Sequence, residues 1–202
     1  MEGLYFYWIA WIAWTYATFI LEKNRLRILF SAFILIVIIL SPYQFVFSTF
    51  NVNAVHLLIL AISFILIAKK TMIQKVYLLI CSLTITIAYV SFQLFELFDP
   101  IWLFLDRKWM LAFVLVYLSL MLAKGRKSKV MSLLIGSCQG ELLYGFVINK
   151  FRFNYEIGSL VFLDVLSISL LIVFIWLKLE SFIQNIDETL QKNAKGETRI
   201  NE

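Results

Sequence analysis

Seven long apolar runs, separated by short polar connections, dominate this chain of 202 residues. Most of them reach the roughly 17–25 residues that a helix needs to cross a bilayer. The pattern predicts an all-α fold, a polytopic transmembrane helix bundle with seven spans. The spans lie at about 3–21, 28–46, 52–68, 76–96, 109–123, 130–149 and 157–177.

The second run contains a proline, which leaves its geometry open. Pro42 follows Ser41, and the residue before a proline is pushed away from helical geometry. Either the helix kinks near its end, or it stops near Leu40 and the stretch "SPYQFVFSTF" lies in the membrane interface.

The composition supports a membrane protein. The chain is 62% hydrophobic and 15% charged, with a mean hydropathy of +0.88, whereas soluble domains carry roughly 45–50% apolar and about 25% charged residues. A soluble fold of this length has too little interior to bury so much apolar surface. We therefore expect the lipid bilayer to be the protein's main partner.

Basic residues in the connections predict the orientation. Of the 18 lysine and arginine residues, 14 fall in connections on one side, and Arg107, Lys108, Lys150 and Arg152 fall on the other. Positive charge marks cytoplasmic connections. The N-terminus should lie outside and the C-terminus inside. Because the basic residues form short clusters and not one basic face, a nucleic-acid partner is not expected.

The C-terminal region divides into two parts after a bundle that spans 1–178. Residues 179–191 should extend the last helix into the cytoplasm with an apolar stripe, and 192–202 should be disordered. The stripe consists of Leu179, Phe182, Ile183, Ile186 and Leu190. The opposite face is acidic and unsuited to an anionic leaflet. The stripe should therefore pack on another helix, in this protein or in a second copy.

Two carboxylates inside the apolar runs are candidates for function. Glu141 and Asp164 each lie about eight residues from the outer end of their spans, at similar depths in a helical hairpin. An ionised carboxylate there costs at least about 2.5–3.5 kcal/mol. Close carboxylates hinder each other's ionisation, which suits the binding of a proton or cation. Whether they pair with each other or with Arg152 or Lys150 stays open.

Other polar residues share this outer half. Gln139 lies beside Glu141 in sequence, and Glu96 and His56 lie nearer the outer ends of their spans. We expect these residues to line an outward-facing pocket, or to form a buried polar cluster. Gly136 and Gly140 form a small-xxx-small pair, which allows another helix to approach closely or leaves room for a ligand.

Catalytic and cofactor signatures are not found in the sequence. It contains no zinc-protease, nucleophile-elbow, P-loop or dinucleotide motif. One histidine and two cysteines inside apolar runs do not suggest a metal or haem site. We expect no enzymatic activity, no metal and no cofactor. An intramembrane lipid-modifying enzyme is a weaker alternative.

The opening "MEGLYFYWIAWIAW", the short-looped apolar spans and the short charged tail resemble the YphA-like membrane proteins of spore-forming Gram-positive bacteria. The resemblance implies a multi-pass protein of the bacterial cell membrane. It supplies no catalytic or binding residues.

Two functions remain open after this reasoning. One is a small transporter or ligand-binding membrane protein that binds a cation or small solute at Glu141, Asp164 and Gln139, with Glu96 and His56 nearer the mouth. The other is a scaffold or assembly protein. It would contact a partner helix or a second copy through the Gly136 and Gly140 face and the cytoplasmic stripe.

Overall fold

The computed structural model describes residues 2–47, 50–99, 101, 104–151 and 155–200, with side chains as far as residue 186 except at residue 47. Most of the described chain is helical. The helices are α1 (Leu4–Phe19), α2 (Arg25–Leu40), α3 (Ala54–Ala68), α4 (Met72–Phe98), α5 (Arg107–Leu122), α6 (Arg126–Lys150) and α7 (Leu160–Ile200). The strands are β1 (Gln44–Phe47), β2 (Phe50–Asn53) and β3 (Glu156–Ile157).

Three helices in the described part of the chain are long and apolar enough to cross a membrane. They are α4, α6 and the part of α7 from Leu160 to Ile186. Helices α1, α2, α3 and α5 have 15 or 16 residues, or about 24 Å at 1.5 Å per residue. This length falls short of the roughly 30 Å hydrocarbon core of a bilayer.

A small sheet forms where the sequence predicts only helix or interfacial chain, so the all-α prediction needs correction. Helix α2 ends at Leu40, and the chain after Pro42 forms β1, which pairs antiparallel with β2. Strand β3 pairs parallel with β2, through Asn51 with Glu156 and Val52 with Ile157. The sheet thus joins the segment before α3 to the segment before α7. We call this the sheet end of the bundle.

Helices α4 and α6 form the closest helix pair. A Cβ added at Gly136 would lie 2.6 Å from the Cβ of Ile85, and one added at Gly140 would lie 2.7 Å from the Cβ of Tyr89. Only glycine permits such backbone approach at these two positions. The core then continues through buried Leu111, Leu115, Leu163 and Ile168 of α5 and α7.

At the opposite end of the bundle, α7 packs on the start of α6 through polar contacts. Lys129 forms an ion pair with Glu180 at 3.1 Å, and Arg126 donates to the side chain of Gln184 at 2.9 Å. The apolar stripe points away, because Leu179, Phe182, Ile183 and Ile186 are exposed. The side chain of Leu190 lies outside the described part. The division at residues 178 and 191 stays a prediction.

Candidate functional site

Glu141 is completely buried and accepts three hydrogen bonds from three parts of the chain. Its Oε2 accepts from the hydroxyl of Tyr89 on α4 at 2.5 Å. Its Oε1 accepts from the hydroxyl of Tyr155 at 2.9 Å and from the backbone N–H of Gly158 at 3.0 Å. The carboxylate therefore fastens α4 and the α6–α7 connection to the middle of α6.

A chain of hydrogen bonds links Glu141 to a cation. Arg107 donates to the side-chain oxygen of Gln93, whose Nε2 donates to the hydroxyl of Tyr89 at 3.0 Å, and Tyr89 donates to Glu141. All donors in this series point towards the carboxylate. Such alignment strengthens each bond by polarisation and transmits part of the arginine's influence to the buried acid. Gln93 and Tyr89 are themselves buried.

Asp164 has a different set of partners. Its Oδ2 accepts from the backbone N–H of Gly3 at 2.9 Å and lies 2.6 Å from Nζ of Lys108, and its Oδ1 accepts from the N–H of Phe6 at 2.8 Å. Unpaired amides and the positive end of the helix dipole make the start of α1 a natural anion site. Here a carboxylate from α7 fills that site, and Lys108 of α5 balances its charge.

The two carboxylates are thus held in separate clusters of contacts. The basic partner of Asp164 is Lys108, and the nearest counter-charge of Glu141 along its bonds is Arg107. Sequence reasoning had offered Lys150 and Arg152 for these roles. Lys150 is exposed at the end of α6, and Arg152 lies outside the described residues.

The other predicted site residues are spread around this centre. The side-chain oxygen of Gln139 lies 3.5 Å from the hydroxyl of Thr86, away from the Glu141 contacts. Oε2 of Glu96 lies 2.9 Å from Nε of Arg107, an ion pair without hydrogen-bond alignment. Glu96 therefore joins the same network through Arg107.

His56 is buried at the start of α3 and lies close to the Glu141 cluster. Its ring meets Phe162 edge-on, with centroids 5.3 Å apart, and its Cβ lies against Gly158. Gly158 has a φ of +77°, and an added Cβ there would lie 2.5 Å from that of His56, so only glycine fits. Neither ring nitrogen has a hydrogen-bond partner within the described chain.

Two adjoining cavities open beside these residues. The smaller one, here called the polar cavity, has a volume of about 90 Å³. It is lined by Tyr89, Gln93, Arg107, Tyr155, Ser159, Val161, Phe162 and Val165. The larger one, here called the vestibule, has about 520 Å³ and is more open. It is lined by Glu2, Leu4, Tyr5, Asp106, Arg107, Lys108 and Val161. Arg107 and Val161 line both.

Two groups in the α6–α7 connection have shifted protonation equilibria. Burial raises the pKa of Tyr155, and the charge of Glu141 raises it further, so its phenol stays protonated and acts as a donor. Burial also raises the pKa of Glu156, with a further contribution from the negative charge of Glu2.

Sequence reasoning identified the carboxylates but missed most of their partners. Arg107 and Lys108 had served only to orient the chain, and Tyr89 and Tyr155 had no assigned role. One signal was available in the sequence. Asp106 precedes α5 as an N-cap and accepts from the N–H of Lys108 at 2.9 Å, which places both basic residues in the first turn.

Comparison with known proteins supports the membrane assignment. The family model described as YphA-like integral membrane protein matches residues 2–199. The chain is 31% identical over 200 residues to the "Uncharacterized protein YphA" of Bacillus subtilis (strain 168), covering 99% of this chain and 100% of that protein. No solved structure matches.

Proposed function

Because the chain belongs to the YphA-like integral membrane protein family, we propose that it is a multi-pass protein of the bacterial plasma membrane. In this proposal all seven helices cross the bilayer, with the N-terminus outside and the C-terminus inside. The four shorter helices, α1, α2, α3 and α5, would then require local thinning of the bilayer or flanking residues to complete their spans. The contact of Asp164 with Gly3 and Lys108 supports the arrangement, because it gathers the starts of α1, α5 and α7 at one end. The sheet end then faces outwards.

The proposed activity is the binding of a small cation in the vestibule. A volume of about 520 Å³ falls within the usual range for small-molecule sites, roughly 300–1,000 Å³. In the proposed orientation the vestibule opens to the outer surface. The proposal keeps the outward-facing carboxylate site expected from the sequence. The acids that would contact the ligand are Glu2 and Asp106, in place of Glu141 and Asp164.

The charge balance of the vestibule carries this proposal. Its two basic residues already face acids, Arg107 with Glu96 and Lys108 with Asp164. Its own acids, Glu2 and Asp106, form no ion pair with a basic side chain in the described part of the chain. Two carboxylates without an ion-pair partner therefore remain, although Asp106 also caps α5 through the N–H of Lys108. Such a surplus attracts cations.

In the same orientation, seven of the 13 acidic residues and four of the 18 basic residues would lie in the outer half, although the full chain carries +5. Two of the seven acids, Glu141 and Asp164, are buried. The outer half would thus lack the positive charge of the rest of the chain, which removes a barrier to cations approaching the vestibule.

Calorimetry on the full chain in lipid nanodiscs tests the proposal, with K⁺, Mg²⁺ and methylammonium as probes. The double variant Glu2→Gln, Asp106→Asn should weaken the best-bound probe by about tenfold or more. Asn preserves the helix cap of Asp106. The matched control is Asp99→Asn, which removes an exposed acid that does not line the vestibule.

The control should bind like the native protein. Equal affinity in the double variant and the control, or no binding of any probe by the native chain, would refute the vestibule site. Flux of the bound probe into sealed proteoliposomes then separates a transporter from a binding protein.

A second candidate function is membrane assembly through the cytoplasmic stripe. Leu179, Phe182, Ile183 and Ile186 are exposed, whereas Glu180 and Gln184 face α6. The Gly136 and Gly140 face is already occupied by α4 of the same chain, so the stripe carries this alternative. Disulfide crosslinking of Ile183→Cys should yield dimers, and Gln184→Cys should not. Equal yields from both would remove this candidate.

A further inference from the structure

The polar cavity meets Glu141 through two phenol groups. Tyr89 and Tyr155 both line the cavity, and both donate their hydroxyl protons to the Glu141 carboxylate. The remaining polar lining comes from Gln93, Arg107 and Ser159. We propose that Glu141 is a proton-binding site, reached from the vestibule through the polar cavity and the hydroxyl groups of Tyr155 and Tyr89.

The environment of Glu141 contains opposing influences on its protonation. Complete removal from water favours the neutral acid, because a buried carboxylate loses its hydration. Three hydrogen-bond donors favour the charged form. The balance between these two effects determines whether Glu141 holds a proton.

Residues that line both cavities support access from the vestibule. Arg107 and Val161 line both, so the side chain of Arg107 stands between them. This side chain is 37% exposed, and it is held by Gln93 on one side and Glu96 on the other. A cavity of about 90 Å³ with several polar groups has room for a few water molecules. Water would then carry protons from the vestibule to the two hydroxyls.

The transfer step involves only O–H bonds. A hydronium ion in the polar cavity gives a proton to the phenolic oxygen of Tyr155, while the original hydroxyl proton of Tyr155 passes to Oε1 of Glu141. One O–H bond breaks on the hydronium ion, which becomes water. One breaks and one forms at the Tyr155 oxygen, and one forms at Oε1 of Glu141. The Tyr155 phenol is restored, with its proton on the cavity side. The hydroxyl oxygen of Tyr89 already accepts a hydrogen bond from Nε2 of Gln93, so Tyr155 is the main route and Tyr89 a slower one to Oε2.

Several titratable groups surround Glu141 and enter this balance. Tyr89 faces it from α4, Tyr155 from the connection, and Arg107 from α5 through Gln93. Cys138 and Tyr144 lie on its own helix, and His56 of α3 lies beyond Gly158. Glu96 faces Arg107 as its ion-pair partner and therefore offsets part of the influence of Arg107 on Glu141.

The inference does not depend on a cation binding in the vestibule. It requires only that water reaches the polar cavity. A failed calorimetry experiment would leave it intact, and a failed proton experiment would leave the vestibule site intact.

Infrared difference spectroscopy on the full chain in nanodiscs provides the test. Lowering the pH should produce a carbonyl stretch of a protonated carboxyl group, and Glu141→Gln should abolish it. If Glu141→Gln does not fold, Glu141→Asp should shift the band instead. Exchange into D₂O should shift the same band in the native protein, because the proton exchanges with water.

The route is tested with matched tyrosine variants. Tyr155→Phe should slow the D₂O-induced shift by about tenfold or more, since a positioned hydroxyl group is lost from the path. Tyr144→Phe is the control. Its ring meets that of Tyr155 edge-on at 5.0 Å, but Tyr144 makes no hydrogen bond to Glu141 in the described structure. It should exchange at the native rate.

Three results would overturn the proposal. The first is a Glu141 band that is absent at every pH at which the protein stays folded, which would make the carboxylate a permanent structural charge. The second is a band that does not shift in D₂O, which would mean a sealed site. The third is equal exchange rates in Tyr155→Phe and Tyr144→Phe, which would exclude the hydroxyl route.

Discussion

Asp164 illustrates how one side chain connects three helices. Its two oxygens bind the first turn of α1, and the charge of Lys108 from α5 balances it. The side chain of Lys108 is 15% exposed, and Asp164 is completely buried. Breaking a buried pair by removing one partner typically costs about 3–5 kcal/mol, because the other charge is left without compensation.

We therefore expect Asp164→Asn to lower the free energy of unfolding by about 3–5 kcal/mol. Adding Lys108→Met should recover part of this loss, because no unpaired charge then remains. Unfolding in detergent micelles, followed by circular dichroism, measures both. As a control, Glu180→Gln removes an acid that is 36% exposed, in contrast to the fully buried Asp164, and should cost less, although its partner Lys129 is only 11% exposed. Equal costs for Asp164→Asn and Glu180→Gln would contradict the role of Asp164.

At the scale of elements, the contact between α4 and α6 sets the position of the Glu141 cluster. Tyr89 both packs against Gly140 and donates to Glu141, so the same residue closes the helix pair and supplies the hydrogen bond. Anything that separates the two backbones will also move the hydroxyl group. Packing and polar chemistry are therefore coupled at this position.

Gly140→Ala should destabilise the protein by about 1–3 kcal/mol, the usual cost of overpacking. The added methyl group would lie 2.7 Å from the Cβ of Tyr89. This atom belongs to the packed helix α4, so the clash cannot be relieved by a change of rotamer. Leu143→Ala on the exposed face of α6 is the control and should cost less. Thermal unfolding in detergent micelles compares them. Equal unfolding midpoints for Gly140→Ala and Leu143→Ala would show that the close approach of α4 and α6 does not contribute to stability.

The sequence predicts secondary structure well where it depends on neighbouring residues, and poorly where it depends on pairing between residues far apart in the chain. The helices follow from long apolar runs, which need no knowledge of distant residues. The sheet was missed because β3 has two residues and pairs with β2 about 100 positions earlier, at Asn51 and Glu156. Likewise, Glu141 stood out as an acid in an apolar run. Its donors Tyr89 and Tyr155 did not, because tyrosine is ordinary in such a segment.

For the molecule as a whole, the central question is which end faces outwards. The proposed topology places the sheet end and the vestibule outside, and the Lys129–Glu180 contact inside. Charge is divided unequally between the two ends, since 14 of 18 basic residues would lie on the inner side. The positive-inside rule supports this orientation over its reverse.

Cysteine labelling in intact cells should report this orientation directly. Asp99→Cys should react with a membrane-impermeant maleimide from outside, and Lys127→Cys should react only after permeabilisation. Both positions are exposed, and the native Cys81 and Cys138 are buried, so background labelling should be low. The reverse pattern would show that the orientation is opposite to the one proposed. Labelling of both sites from outside would contradict the seven-span arrangement.

The hydrogen bonds between Asp164 and the start of α1 also affect the order in which the protein assembles during translation. Gly3 is synthesised 161 residues before Asp164, so the hydrogen bond between them cannot form until α7 has been made. During that interval the first helix has its amides unsatisfied and its final neighbour not yet made. A nascent chain truncated before Asp164 should therefore keep α1 loosely attached. The last helix completes the docking of the first, and assembly of the bundle becomes a late event in translation.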